Sequence, residues 1–318
     1  MDAASPAPPR LTEAWSVTHP LTVHDQTVMT QMRAMAEPNK GVMRDASARP
    51  AFDALIQRTA APDGVTWRAD RIGGVSGWWC EPVSAPDDVA ILHFHGGWFN
   101  WGSAEAFRHL VGQIASSAGA RAFIPDYRLA PEHPFPAGSD DALACFGGLL
   151  DLGFRAIAVT GDSAGGNLAL GLLAKVSAQT VGQLVGAVVL SPVTDLTLSS
   201  ESWTSRAEAD PFFVHDQAEG LVSAYLAGHD PADPSVSPLF SQLTGLPPIR
   251  VHVGDDEMLR DDSLNYVQRA VHAGVDALVD VWMGMPHGFL GGVGRLEAAD
   301  AALKQLGAFL TQQLSRVS

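Results

Sequence analysis

Residues 161–166 read GDSAGG and directly follow the apolar run AIAVT at residues 156–160. An apolar strand that ends in a sharp Gly-x-Ser-x-Gly turn and continues as a helix lifts the central serine out of the sheet. The flanking glycines allow the turn because they have no Cβ to clash. The helix that follows places the positive end of its dipole beside Ser163. The stretch therefore predicts a nucleophilic serine at the end of a central strand.

On both sides of this turn, apolar runs alternate with helical patterns. Runs typical of strands lie at residues 75–79, 89–94, 121–124, 156–160, 187–190, 249–253 and 278–282. Helical patterns lie at residues 20–37, 50–60, 104–118, 139–151, 165–178, 215–227, 262–273 and 297–314. Because nearly continuous apolar strands need cover on both faces, the alternation predicts an α/β fold with a mostly parallel central sheet of about eight strands.

Two regions do not follow the alternation. Residues 196–235 are polar and contain three prolines, and an insertion of this length usually has a function. We interpret it, together with an N-terminal segment at residues 1–50, as a helical cap over the sheet edge. Residues 51–318 then form the main domain, with the cap insertion at about 196–235. Residues 1–10, rich in proline and alanine, are predicted to be disordered.

Bulk composition excludes several classes of function. The 318 residues carry a formal charge of −15, which repels phosphate backbones and argues against nucleic-acid partners. No run reaches the roughly 18 apolar residues of a membrane span, and the N-terminus lacks the pattern of a signal peptide. The two cysteines are too few for a disulfide framework. We expect a soluble, cytoplasmic protein.

A serine nucleophile needs a base and an orienting carboxylate. Of the 11 histidines, His287 follows the last predicted strand on a loop, where a base that comes after the serine in the chain belongs. The loop after residues 249–253 offers several acids, any of which could orient the base. They are Asp255, Asp256, Glu257, Asp261 and Asp262.

The developing oxyanion needs backbone N–H donors. Gly96 and Gly97 follow the predicted strand at residues 89–94, where bare backbone can approach a substrate closely, and Ala164 adds the N–H after the nucleophile. His93 and His95 form a His-x-His pair on the same strand, but no third ligand follows at useful spacing, so we expect no metal. No organic cofactor is implied either.

Four motifs in order resemble the bacterial hormone-sensitive-lipase-like carboxylesterases, a branch of the α/β-hydrolases. They read HGG at residues 95–97, DYRLAPEHPFPA at 126–137, GDSAGG at 161–166 and PHGF at 286–289. The resemblance extends from about residue 75 to the C-terminus. It implies Ser163 as nucleophile, His287 as base, and Gly96, Gly97 and Ala164 as oxyanion donors.

The resemblance also suggests which carboxylate orients the base. The family acid usually opens an Asp-Pro-Leu-x-Asp motif, and the matching stretch here begins at Glu257. We therefore assign Glu257, while a register error of one or two residues would move the acid to Asp256 or Asp255.

One position departs from the family pattern. Trp98 occupies the place of the usual third glycine of His-Gly-Gly-Gly. We expect an ordinary backbone there, with the indole packed over the loop or into the acyl pocket as a substrate-binding wall that favours small acyl groups.

The function predicted from these residues is hydrolysis of short-acyl carboxylic esters by a Ser-His-acid triad through an acyl-enzyme. A lactone hydrolase uses the same machinery and is the first alternative. A non-catalytic small-molecule receptor on the same fold is the alternative of another class. A homodimer is possible, because a predicted edge strand at residues 278–282 would permit pairing between copies.

Overall fold

A computed structural model describes residues 15–176 and 183–316, so the disorder predicted for residues 1–10 lies outside the described residues. A nine-stranded sheet forms the centre of the molecule in the order β1-β9-β8-β7-β6-β4-β5-β3-β2. The strands are β1 (Ser16–His19), β2 (Val65–Ile72), β3 (Val75–Pro82), β4 (Val89–Phe94), β5 (Arg121–Pro125), β6 (Ala156–Asp162), β7 (Leu184–Leu190), β8 (Ile249–Gly254) and β9 (Ala277–Trp282). Only the pairings of β3 with β2 and β5 are antiparallel. The predicted α/β class and mostly parallel sheet are confirmed.

Nine α-helices are placed within the described ranges. They are α1 (Val23–Ala36), α2 (Arg49–Ile56), α3 (Ala104–Ala118), α4 (Ala137–Asp151), α5 (Ala164–Val176), α6 (Ser202–Ser205), α7 (His215–Leu226), α8 (Arg260–His272) and α9 (Glu297–Ser315). Local chemistry sets their ends, as in α3, where the Ser103 hydroxyl accepts from the Ala106 N–H and Gly119 ends the helix at φ +62°.

The sheet separates two buried cores. In β4, Ile91 belongs to the core under α3 and α9, whereas Leu92 belongs to the core under α4, α5 and α8. Adjacent residues of a strand point to opposite faces, so a fully buried strand such as β4 contributes to both cores. This arrangement fixes β4, β6, β7, β8 and β9 side by side, with their carboxyl ends at one edge.

The strand β9 is not an edge strand, which corrects the basis on which pairing between copies was expected. β1 pairs with it in parallel, from Ser16 beside Val279 to His19 beside Trp282. The His19 ring stacks on Trp282 at 3.9 Å, and its Nε2 lies 2.7 Å from Asp280 Oδ1. The N-terminal segment thus covers the edge that we had expected to be free.

The two segments outside the alternation contact each other. The Lys40 ammonium donates to the Ala207 carbonyl at 2.6 Å, and the Gly41 N–H donates to the Phe212 carbonyl at 2.9 Å. The Gln217 amide in α7 donates to the Met43 carbonyl at 2.6 Å. These bonds join residues 40–43 to residues 207–217. In the described ranges, no helix combines the length and apolar character needed to cross a membrane.

Candidate active site

Ser163 stands between β6 and α5 with φ +54°, a left-handed conformation that costs a non-glycine residue about 1–2 kcal/mol. Its N–H donates to the Leu190 carbonyl at 2.8 Å. A Cβ on Gly165 would lie 1.9 Å from the Phe94 carbonyl oxygen, and one on Gly161 would lie 2.3 Å from the Gly165 oxygen. Both glycines are therefore sterically required, and the predicted turn is a tight strand-to-helix elbow.

His287 lies on the loop after β9 and is held by Glu257. The His287 Nδ1 is 2.7 Å from Glu257 Oε2, and the Glu257 side chain is fully buried. The other carboxylate oxygen, Oε1, accepts from the Ser191 hydroxyl at 2.7 Å and from the Gly254 N–H at 2.7 Å. Both oxygens of the carboxylate are thus bonded, so its position and that of the imidazole are fixed.

The neighbouring acids have other partners. Asp255 pairs with Arg206 at 3.0 Å and with Arg260 at 3.2 Å, and Asp256 pairs with Arg33 at 2.5 Å.

Two further acids of the same region also point elsewhere. Asp261 accepts from the Ser202 N–H at 3.0 Å, and Asp262 accepts from the Thr194 N–H at 2.7 Å. Burial raises the pKa of Asp262 to about 7. Of the five candidates, the structure brings Glu257 to the imidazole.

The electrostatic surroundings of His287 favour its protonated form. Burial of the ring lowers its pKa, but the charge and hydrogen bond of Glu257, with the charges of Asp210 and Asp162, outweigh burial and raise the pKa overall. The Phe213 ring meets the imidazole edge to face at 5.1 Å. The charges of three carboxylates therefore act on His287, of which Glu257 is in direct contact with the ring.

The loop after β4 begins beside the elbow, because Phe94 pairs with Gly161. The Gly96 N–H donates to Asp162 Oδ1 at 3.0 Å, and a Cβ on Gly96 would lie 2.2 Å from Asp162 Oδ2. Its N–H is thus already bonded, and the assignment of Gly96 as an oxyanion donor is corrected on this ground. The carboxylate instead ties this loop to the elbow.

Backbone N–H groups around the elbow that have no acceptor in residues 15–176 and 183–316 include those of Gly97, Trp98 and Ala164. Gly97 has φ +117°, and Ala164 is the first residue of α5, where an N–H has no partner within the helix. These N–H groups are therefore free to donate to a bound molecule.

Trp98 does not have the ordinary backbone expected from the sequence. Its φ is +52° and that of Phe99 is +60°, so two bulky residues in succession occupy the left-handed region. Packing compensates for the strain: the Trp98 indole is buried against Trp203 at 6.1 Å and Phe213 at 5.5 Å, and Phe99 stacks on Tyr225 at 3.7 Å.

The other histidines singled out in the sequence lie in the interior. His93 Nδ1 is 2.9 Å from the Thr160 hydroxyl, and its Nε2 is 3.4 Å from Asp162 Oδ1. The His95 ring stacks on Tyr127 at 4.3 Å, and burial lowers its pKa to about 4. His252 is also buried with a pKa lowered to about 4. These rings support the strand ends beneath the site.

Three residues of the site were not predicted from the sequence. Ser191 has φ +45° and directs its hydroxyl at Glu257, but a serine after a strand gives no sign of that role. Asp210 is buried and accepts from the N–H groups of Phe212, Phe213 and Met258. Asp162 lies inside the GDSAGG motif, but the motif gives no sign that its carboxylate accepts from the Gly96 N–H.

A small cavity of about 50 Å³ opens beside the base. Its lining includes Asp162, Ser191 and His287 together with Phe107 and Leu110 of α3. The cavity is large enough for only a few heavy atoms, since one water needs roughly 10–15 Å³ on this measure.

Comparison with known proteins agrees with this geometry. A family described by the α/β-hydrolase fold matches residues 91–291. The chain is 34% identical to an esterase of Acinetobacter venetianus over 268 residues, which cover 83% of this chain and 85% of that protein. It is 32% identical to the carboxylesterase NlhH of Mycobacterium tuberculosis over 248 residues, which cover 74% of this chain and 75% of the relative.

Solved structures are similar over nearly the whole chain. An esterase from the bacterial hormone-sensitive lipase family superposes with a TM-score of 0.86 at 33% identity, covering 93% of this chain and all of that one. EstE5 soaked with p-nitrophenyl butyrate superposes with a TM-score of 0.83 at 32% identity, covering 90% of this chain and 98% of that one.

The fold and its elbow define an α/β-hydrolase. The chain belongs to the bacterial hormone-sensitive lipase family of that fold, and it is an ester-hydrolysing enzyme. This result removes the alternative of a non-catalytic receptor.

Proposed function

We propose that the enzyme hydrolyses short-acyl carboxylic esters with Ser163 as nucleophile, His287 as base and Glu257 as the orienting acid. The observation that carries the proposal is the 2.7 Å bond between His287 Nδ1 and Glu257 Oε2. That bond holds the proton on Nδ1 and leaves the Nε2 lone pair to accept the Ser163 proton. The negative carboxylate also stabilises the imidazolium that forms.

The proposed reaction has two acyl-transfer steps. As the Ser163 oxygen attacks the ester carbonyl, His287 takes its proton, and the carbonyl oxygen becomes an oxyanion bound by the N–H groups of Gly97, Trp98 and Ala164. The bond to the alkoxy oxygen then breaks, and His287 returns the proton to the leaving alcohol. Water attacks the acyl-enzyme by the same route and releases the acid and free Ser163.

The corrected set of oxyanion donors follows from which N–H groups are free. Gly96 is replaced by Trp98 because the Gly96 N–H already donates to Asp162. The left-handed backbone at Trp98 supports the proposal, since strained conformations persist at functional sites where packing enforces them.

The preference for short acyl groups rests on the aromatic wall beside the base. Trp98, Trp203 and Phe213 pack together, and all are on the side of the site covered by residues 202–226. We propose that this segment and the N-terminal segment together form the cap. The aromatic wall therefore favours small substrates.

Replacing the nucleophile tests the proposal. Ser163→Ala should lower kcat for p-nitrophenyl butyrate by a factor on the order of 10⁶, as in other triads. A fluorophosphonate should add one adduct to the wild type, located at Ser163 by peptide mass, and none to the variant. The exposed Ser235→Ala serves as the matched control and should label and turn over normally. Near wild-type turnover by Ser163→Ala would refute the assignment.

A further inference from the structure

Two indole N–H groups in the site have no hydrogen-bond acceptor. The Nε1 atoms of Trp98 and Trp203 are both buried and unpaired within the described residues, and the two side chains are 1% and 3% exposed. Buried donors in native proteins nearly always have a partner, because a dry, unpaired donor loses its bonds to water without compensation. Each such group therefore requires an explanation.

The other buried indoles among the described residues do not share the deficit. Four indoles donate to an acceptor: Trp67 to the Arg108 carbonyl, Trp79 to Asp70, Trp101 to the Asp45 carbonyl and Trp282 to His252. The two unpaired indoles, in contrast, pack against each other at 6.1 Å. Among the buried indoles of residues 15–176 and 183–316, the missing acceptors are thus confined to this pair.

That place adjoins the reacting groups. The Trp98 ring meets Phe213 at 5.5 Å, and Phe213 meets His287 at 5.1 Å. The backbone N–H of Trp98 is also one of the proposed oxyanion donors. A single residue therefore carries two free donors, separated by about 5 Å through its own bonds.

We propose that the substrate's acyl group carries an uncharged oxygen acceptor, a keto, hydroxyl or ether oxygen at its β or γ carbon, which accepts from the Trp98 indole. The inference rests on the proposed function, because the Trp98 backbone N–H must bind the ester oxyanion for the acyl chain to pass its indole. An N–H···O bond of about 2.9 Å at each donor places the second oxygen two to three carbons beyond the ester carbonyl. Trp203 is the second donor for the same oxygen or for its neighbour.

The charge of the site decides between acceptors. Glu257, Asp210 and Asp162 surround His287 with negative charge, which disfavours a free carboxylate on the acyl chain. A plain alkyl chain would leave the indole N–H buried and without an acceptor. A site that donates a hydrogen bond to a substrate oxygen discriminates against the ester that lacks this oxygen. The substrate class is therefore an oxo-, hydroxy- or alkoxyacyl ester.

The experiment compares methyl 3-oxobutanoate and methyl 4-oxopentanoate with methyl butyrate. The measured quantity is the ratio of kcat/KM for each oxo ester to that for the alkyl ester, in the wild type, Trp98→Phe and Trp203→Phe. Because the ratio is compared between proteins, intrinsic differences in ester reactivity cancel. Phenylalanine keeps a ring and removes the N–H. Trp79→Phe, which removes an indole N–H paired with Asp70 away from this cluster, is the matched control.

Trp98→Phe should lower the ratio for at least one oxo ester roughly fivefold, the value of one ordinary hydrogen bond, and Trp79→Phe should leave it unchanged. Unchanged ratios in both Trp98→Phe and Trp203→Phe would overturn the proposal. If neither variant folds, the wild type alone decides. Its kcat/KM for an oxo ester relative to methyl butyrate should exceed the same ratio for hydroxide-catalysed hydrolysis. A wild-type ratio at or below the hydroxide ratio for both oxo esters overturns the proposal. Failure of the proposed function is distinguishable, since Ser163→Ala would then keep its turnover of p-nitrophenyl butyrate whatever the oxo-ester ratios of the tryptophan variants.

Discussion

The loop that carries Glu257 and the loop that carries Trp98 flank the same serine but are built in opposite ways. The Glu257 carboxylate is fully bonded, because both of its oxygens are engaged, and Asp210 joins the Met258 N–H to those of Phe212 and Phe213. Around Trp98 the backbone is strained over two residues, and donors on both the main chain and the indole lack acceptors.

The difference separates two tasks. A saturated network has one low-energy arrangement, which suits a group that must orient an imidazole through every step. Unpaired donors remain available for groups that arrive with the substrate, at a cost in stability that packing must offset. We infer that the acid side fixes the chemistry, whereas the Trp98 side sets the choice of substrate. Each prediction below alters one side and measures whether the expected property changes.

The largest effect on the acid side is expected from Glu257→Gln. The amide keeps the size of the side chain but removes the charge that stabilises imidazolium and can favour the wrong tautomer, so kcat should fall about 10³–10⁴-fold. Asp256→Asn is the matched control: it removes a neighbouring carboxylate that pairs with Arg33, and its kcat should change less than about threefold. Equal losses in both variants would contradict the assignment of the acid.

The hydrogen bond from the Gly96 N–H to Asp162 joins the loop that carries Trp98 to the elbow, and substitutions of Asp162 test it. Asp162→Ala removes the acceptor of the Gly96 N–H and frees the oxyanion loop, so kcat should fall roughly 10–100-fold from misplacement of the donors. Asp162→Asn keeps an acceptor oxygen and should recover most of that loss. Because both variants remove the same charge, a difference between them isolates positioning from electrostatics. Equal kcat values would show that the bond does not position the loop.

The acid side also sets the pH dependence. A base must be neutral to act, so kcat/KM falls as pH drops through the pKa of His287, and the raised pKa places that decline above the ordinary value near 6.5. Asp210→Asn removes one of the charges that raise this pKa and should move the acid limb to lower pH. Asp255→Asn is the control: the Asp255 carboxylate is paired with two arginines, so its removal should leave the acid limb at the same pH. A pH–rate profile of each variant measures the shift, and an unmoved limb in Asp210→Asn would contradict the electrostatic account.

The sequence predicts the acid side better than the Trp98 side. Ser163 and His287 follow from periodicity and chain order, because a strand that ends at the sheet edge fixes where the next residue lies. Glu257 needed a register taken from the family, since five acids lie within residues 255–262. Its partner Ser191 could not be predicted, because the contact joins two loops through a left-handed turn.

Elements with little local signal were missed for related reasons. β1 has only four residues, two of them exposed and two half-buried, so its composition does not predict a strand. Its pairing with β9 alone defines it. β2 alternates charged and apolar residues at a largely exposed edge. The donor state of Gly96 depends on where the Asp162 carboxylate points, and the φ of Trp98 depends on packing against residues more than 100 positions away.

The smallest expected effect lies on the Trp98 side and concerns selectivity. Trp98→Gly removes a buried indole and relieves the left-handed strain, since glycine adopts φ near +52° freely. Loss of the ring costs about 3–5 kcal/mol and relief returns about 1–2 kcal/mol, so the unfolding free energy should fall by a few kcal/mol. The space left beside Phe213 should admit longer acyl chains, so the rate on p-nitrophenyl octanoate relative to the acetate and butyrate should rise several-fold. Unchanged relative rates on these three esters would show that Trp98 does not limit acyl length, and selectivity would then reside in the residues that pack against it, such as Trp203 and Phe213.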